Sequence, residues 1–208
     1  MSDAATVREE LLHRLRHRPA DPEIPALVER LERERPADLS RDGDRLRGVW
    51  ELRWSSASQP WLKQAPWLEN LQVLDPAAGR GMNLLRLSGP LGVLAAITVQ
   101  ADLAIRGPQR VEVTFRRGGW SGPRLLGQRL ELLAAVKQPF PAWLDITVLD
   151  ETLRICRGNA GTVFALLRRP DLAVEELLGQ ATEPVGPGPA GSSVTQRGTG
   201  TPAADSRR

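Results

Sequence analysis

The chain has 208 residues, 41% apolar and 25% charged, with a net charge of +3, which suits one medium domain with a core of its own plus flanking segments. One cysteine, Cys156, excludes an intramolecular disulfide and a multi-cysteine metal site. No transmembrane segment is expected, because the longest weakly polar stretch, 89–101, falls short of the roughly 20 apolar residues that span a bilayer. Nucleic acid is not an expected partner either, since there is no basic run, no tyrosine and only three phenylalanines to stack on bases.

Residues 3–18 form an amphipathic helix, with Val7, Leu11, Leu12 and Leu15 on one stripe and Pro19 as its stop. His13 and His17 stand four residues apart, a spacing that can ligate a metal on a helix. No acidic or cysteine partner lies at a motif distance, so they read as a solvated face and no metal is expected. The start of the chain has no apolar secretory core, and Asp3, Glu9 and Glu10 are foreign to a transit peptide. The expectation is a cytoplasmic protein made in the compartment where it works, as in a bacterium. A second helix is expected from Asp21 as N-cap, with Pro22 at its first position, Ile24, Leu27, Val28 and Leu31 as its stripe, and Pro36 as its stop. Residues 1–43 are thus a helical segment that packs on the following domain or on itself.

At Gly48 the period changes to two. Trp50, Leu52 and Trp54 alternate with Glu51 and Arg53 and are expected on one strand face. A lid or short helix follows between Pro60 and Pro66. Strand-like runs then lie near 70–75, 81–88, 92–105, 110–117, 124–135, 143–149, 152–157 and 161–168, separated by turn formers such as Gly89-Pro90 and Gly107-Pro108. The run 124–135 is also compatible with a helix. Short strands at regular spacing imply an antiparallel sandwich or barrel. The barrel is preferred, because closure removes sheet edges and about eight strands leave room for one small ligand. Residues 171–180 are expected to form a short helix capped by Asp171. The Gly-, Pro-, Ser- and Thr-rich segment 181–208 is expected to be disordered.

Catalytic chemistry finds little support. Both histidines belong to the first helix, and there is no Gly-x-Ser-x-Gly and no phosphate-binding loop. Cys156 has Arg154 and Arg157 nearby but no histidine to serve as base, so it reads as a small strand residue. Asp145 lies inside an apolar strand and needs a cationic or backbone partner if it points inward. Six tryptophans supply flat apolar area with one polar handle each. Trp54, Trp61, Trp67 and Trp143, with Asp145, are the candidate ligand contacts, although Trp50 and Trp54 also suit a plug at the barrel end. Fifteen basic against nine acidic side chains between 48 and 170 favour peripheral contact with an anionic membrane or lipid globule.

Gly48-Val49-Trp50 is the Gly-x-Trp pattern that opens lipocalin-like barrels. The run 143–167, WLDITVLDETLRICRGNAGTVFALL, closely resembles the C-terminal block of the plastid-lipid-associated protein (fibrillin) family. The run 44–56, DRLRGVWELRWSS, is similar to that family's N-terminal block. The resemblance covers roughly 44–169, which gives a barrel domain at 44–170. It implies a mainly β fold, a lipocalin-like antiparallel barrel of about eight strands behind an N-terminal helical segment. It also implies a non-enzymatic binder of a lipid or isoprenoid (quinone, carotenoid or acyl chain), without cofactor or catalytic residue, at photosynthetic membranes or lipid globules. A cyanobacterial source fits that setting. Gly48 and Trp50 would close one barrel end with an arginine over the indole. Arg154, Arg157 and Arg168 are the candidates, and alternation puts the first two on opposite faces. Val148, where relatives carry an aromatic residue, and the Gly/Pro-rich tail depart from the family pattern. Two alternatives remain: a structural coat protein of lipid bodies with a filled barrel, and an enzyme handling a chromophore as bilin lyases do. A dry pocket of several hundred Å³ would favour the binder.

Overall fold

The computed structural model describes residues 3–57, 67–89, 92, 96–125, 128–137 and 142–178. The expected lid at 60–66, with Trp61, and the segment 181–208 lie outside them.

The chain begins with two helices, α1 (Asp3–His17) and α2 (Ile24–Glu34). The second starts later than its sequence suggests, with Pro25 rather than Pro22 in its first turn. Asp21 does not cap it. Its carboxylate instead accepts the Glu23 N–H at 3.0 Å and shapes the turn between the helices. After Pro36 comes a short helix, α3 (Leu39–Asp42), capped by the Asp38 side chain on the Ser40 N–H, and a 3-10 turn at Gly43–Leu46. Neither was legible in the sequence, where four-residue elements leave no periodicity.

Nine strands follow among the described residues: β1 (Gly48–Ser55), β2 (Leu68–Asp75), β3 (Arg80–Leu87), β4 (Ala96–Arg106), β5 (Arg110–Leu125), β6 (Gln128–Ala135), β7 (Ala142–Leu149), β8 (Leu153–Gly158) and β9 (Val163–Arg168). All pairings are antiparallel. The order β4-β3-β2-β1-β9-β8-β7-β5, with β5 paired back to β4, closes a ring of eight strands. The remaining strand, β6, is an extension. Residues 110–113 of β5 pair with β7, whereas residues 117–125 pair with β6, so the β5–β6 hairpin continues beyond the ring. The described residues of the segment 124–135 therefore belong to two strands. A further helix, α4 (Val174–Leu178), begins three residues after Asp171, the expected cap.

Two patches outside the ring are buried as firmly as its interior. Leu11, Leu15, Val28 and Leu31 of the helical pair pack on the outward residues Leu153, Ile155 and Ala165. Helix α4 covers Val49, Leu71, Val73 and Leu84 with Val174 and Leu178. Each such side chain contributes roughly 1.5–3 kcal/mol when fully buried. Ion pairs at the rim hold the helices in place. Arg157 Nε bonds Glu32 of α2 at 2.9 Å, and Arg8 Nε of α1 bonds Asp150 at 2.6 Å. A third cluster fills one end of the barrel, where Ala37, Leu39 of α3 and Leu46 of the 3-10 turn meet Trp50, Leu74, Val111, Ile146 and Leu166.

Candidate functional site

Among the described residues the opposite end is open. A cavity of about 750 Å³ runs into the barrel from there. Its wall is mainly aliphatic and aromatic, including Leu52, Leu103, Val113, Phe115 and Phe164. These residues come from strands on all sides because alternate positions of every barrel strand face inward. Against this wall stand the amides Asn70 and Gln72 on β2 and Asn83 on β3, with Asn159 and Thr162 at the β8–β9 turn also on the lining. Gln72 and Asn83 are direct cross-strand partners.

The closed end is built around Trp50, which has no exposed surface. Its indole N–H donates to the Leu46 carbonyl at 3.0 Å, so the 3-10 turn is tied to the ring that it covers. Two guanidiniums approach the indole, Arg168 at 4.3 Å and Arg154 at 5.2 Å from the ring centre. Arg168 donates to the carbonyls of Glu151 and Arg47, both at 2.7 Å, and to that of Arg45. Gly48 stands at φ +152°, and a Cβ there would collide with the Arg168 guanidinium. The Gly-x-Trp pattern thus has a local cause: the glycine leaves room for the arginine that covers the tryptophan.

Arg154 is buried completely inside the barrel. Its Nη2 donates to Gln72 Oε1. Nε and Nη1 are buried without a hydrogen-bond partner among the described residues. Burial pushes this guanidinium down to about 10, and no carboxylate offsets the effect. On the same inner face, burial raises the Cys156 thiol. The alternation of β8 puts Arg157 outside, on Glu32.

The other candidates are spread out. Trp54 leaves the inner face, because a bulge between Leu52 and Trp54 shifts the register and pairs it with the outward Ala165. It packs beneath the helical pair. The expectation of one face for Trp50 and Trp54 fails on that extra residue. Trp67 precedes β2 and is 64% exposed. Trp143 borders the cavity, but its ring carries the Arg110 guanidinium at 4.0 Å. Arg110 also holds Asp145 through two bonds of 2.8 and 2.9 Å, so this carboxylate has its cation. His13 and His17 lie side by side on α1 with ring centres 4.9 Å apart and the rings tilted by 46°. Among the described residues no cluster of His, Cys, Asp and Glu could hold a metal, and no helix is long and apolar enough to cross a membrane.

The three amides on β2 and β3 were missed. Their signal is polar residues at 70 and 72 between Leu71 and Val73, which sequence reasoning assigns to the solvent side of a half-buried strand. A second overlooked feature is a row of exposed apolar side chains at the mouth. Ile97, Trp120 and Leu132 are neighbours across β4, β5 and β6, and Leu132 is 76% exposed.

Comparison with known proteins adds the following. The family model PAP_fibrillin matches residues 12–167. The chain is 29% identical to "Light-induced protein, chloroplastic" of Solanum tuberosum, with 70% of this chain and 59% of the relative covered. It is 29% identical to "Probable plastid-lipid-associated protein 2, chloroplastic" of Arabidopsis thaliana, with 70% and 62% covered. It is 27% identical to "Chromoplast-specific carotenoid-associated protein, chromoplastic" of Cucumis sativus, with 70% and 60% covered. The chain therefore spans about three fifths of the length of these relatives.

Proposed function

The chain belongs to the PAP_fibrillin family, and on that premise we propose that it is a non-catalytic carrier of a small hydrophobic molecule, a quinone, carotenoid or acyl chain. The single observation that carries this reading is the open cavity of about 750 Å³ with its mainly apolar wall. A volume of that order suits one ligand of moderate size, and apolar burial at about 25 cal/mol per Å² would supply most of the affinity. A coat protein with a filled barrel has no need of such a space. The names of two relatives, plastid-lipid-associated and carotenoid-associated, support the same class of ligand.

The exposed row Ile97, Trp120 and Leu132 runs from β4, where Ile97 also lines the cavity, onto the β5–β6 extension. Apolar side chains in such a place suit contact with a lipid globule or membrane surface, from which a ligand could pass into the barrel. Ligand contact is assigned to the wall, with Leu52, Phe115 and Phe164 foremost and the border of Trp143 beside them. The remaining domain assignments, a helical segment at 1–43 and the barrel at 44–170, belong to this proposal. The test is purification from the native host followed by identification of bound lipids by mass spectrometry. A stoichiometric isoprenoid or acyl lipid supports the reading. A lipid-free protein that also fails to quench its tryptophan fluorescence saturably with added quinone or carotenoid overturns it.

A further inference from the structure

The mainly apolar cavity wall carries a polar stripe on β2 and β3, and that stripe leads to a charge. Gln72, beside Asn83 on the next strand, lines the cavity and accepts from Arg154. Arg154 is fully buried, with two nitrogens that find no acceptor among the described residues. The groups that act on Arg154 through their charge are Cys156 and Arg168, and neither is a carboxylate.

A buried cation without a counter-charge is costly, and an anion entering the cavity would remove that cost. The amide between them is suited to receive it. A glutamine has one acceptor branch and one donor branch. With Oε1 turned to Arg154, Nε2 is the branch left for the cavity. The floor then offers a donor backed by a positive charge, surrounded by Leu52, Leu74 and Phe164.

We propose that the cavity takes a long-chain carboxylate head first, with the carboxylate at the Gln72–Arg154 floor and the chain running past Val113 and Phe115 to the mouth. This deepens the carrier reading and rests on it, by naming the polar end of the ligand and its direction. An alcohol or quinone head could accept from Gln72 but would leave the guanidinium uncompensated.

The test uses the purified full chain and compares oleate with oleyl alcohol by calorimetric titration. Oleate should bind about tenfold more tightly or better, as a charge-assisted hydrogen bond warrants. Gln72→Leu and Arg154→Gln should lower oleate affinity to that of the alcohol while leaving the alcohol unchanged. Should Arg154→Gln fail to fold, Gln72→Leu and the wild type decide. Oleate labelled with carbon-13 at the carboxyl, bound to the wild type, should stay ionised as pH falls through the ordinary carboxylate range. Equal binding of acid and alcohol, or a carboxyl that titrates as in free solution, overturns the head-first carboxylate and leaves the carrier reading standing. Failure of both compounds to bind takes down both.

Discussion

Trp50 on the first barrel strand and Arg168 on the last are direct partners across the β1–β9 pair, and the guanidinium lies 4.3 Å from the centre of the indole. The contact joins the two strands that close the ring. It also joins them to the plug, through the Leu46 carbonyl on one side and those of Arg45, Arg47 and Glu151 on the other.

Trp50→Ala should therefore be severe. Removing a fully buried tryptophan costs about 3–5 kcal/mol, and the loss should appear as a lower urea midpoint with an unchanged slope. Arg168→Ala should cost less but still more than about 1 kcal/mol, since it removes a cation–π contact and leaves backbone carbonyls without their donor. An Arg168→Ala loss no larger than that of the exposed Arg106→Ala would contradict this account of the closure.

Gly48→Ala combines a strained backbone with a collision against Arg168. Gly161→Ala meets the strain alone, because at φ +77° nothing lies within 4 Å of an added Cβ. Left-handed strain costs roughly 1–2 kcal/mol. Denaturation should rank Gly48→Ala as clearly the more damaging of the two, and a reversed order would remove the collision from the explanation.

Asp150 governs part of the acid sensitivity. Burial pushes its carboxyl up, but the Arg8 guanidinium and the N–H groups of Thr152 and Leu153 outweigh burial and hold it below the ordinary carboxylate range. A depressed folded value gives stability that is present above the unfolded value, about pH 4, and is lost as pH falls through the folded one. Asp150→Asn should lower stability at neutral pH and make the decline below about pH 4 shallower. Parallel curves for variant and wild type would exclude this role.

The mouth row makes a separate prediction about surfaces. Leu132→Asp should leave thermal unfolding unchanged, because the side chain is 76% exposed. It should weaken association with anionic lipid vesicles by about tenfold or more if that leucine enters the lipid, given roughly 1.5–3 kcal/mol for its burial. Unchanged vesicle flotation would remove the β5–β6 hairpin from the contact surface.

Residue order alone settled much of this protein. Pro and Gly turn signals and two-residue alternation give the number and rough position of the strands, because each of these acts on its immediate neighbours. The Gly48–Trp50 pattern and the run 143–167 pointed to the family for a similar reason: the constraints that fix Gly48, Trp50 and Arg168 act at a handful of crowded positions that tolerate few other residues. The opposite faces of Arg154 and Arg157 also follow from period two. Which of them lies inside does not.

Tertiary structure decided the faces. In β2 the apolar Leu71 and Val73 point outward, yet they are buried, because α4 covers them. The polar Asn70 and Gln72 line the cavity instead. Alternation reports only that two faces differ. It does not say which one closes on itself and which is roofed by a helix distant in sequence. The single inserted residue before Trp54 moved that tryptophan from the expected interior to the helical roof, a change that no local pattern marks. The cavity floor has the same origin. Arg154 and Gln72 are 82 positions apart, and only closure of the ring turns a strand arginine into a buried cation behind an amide.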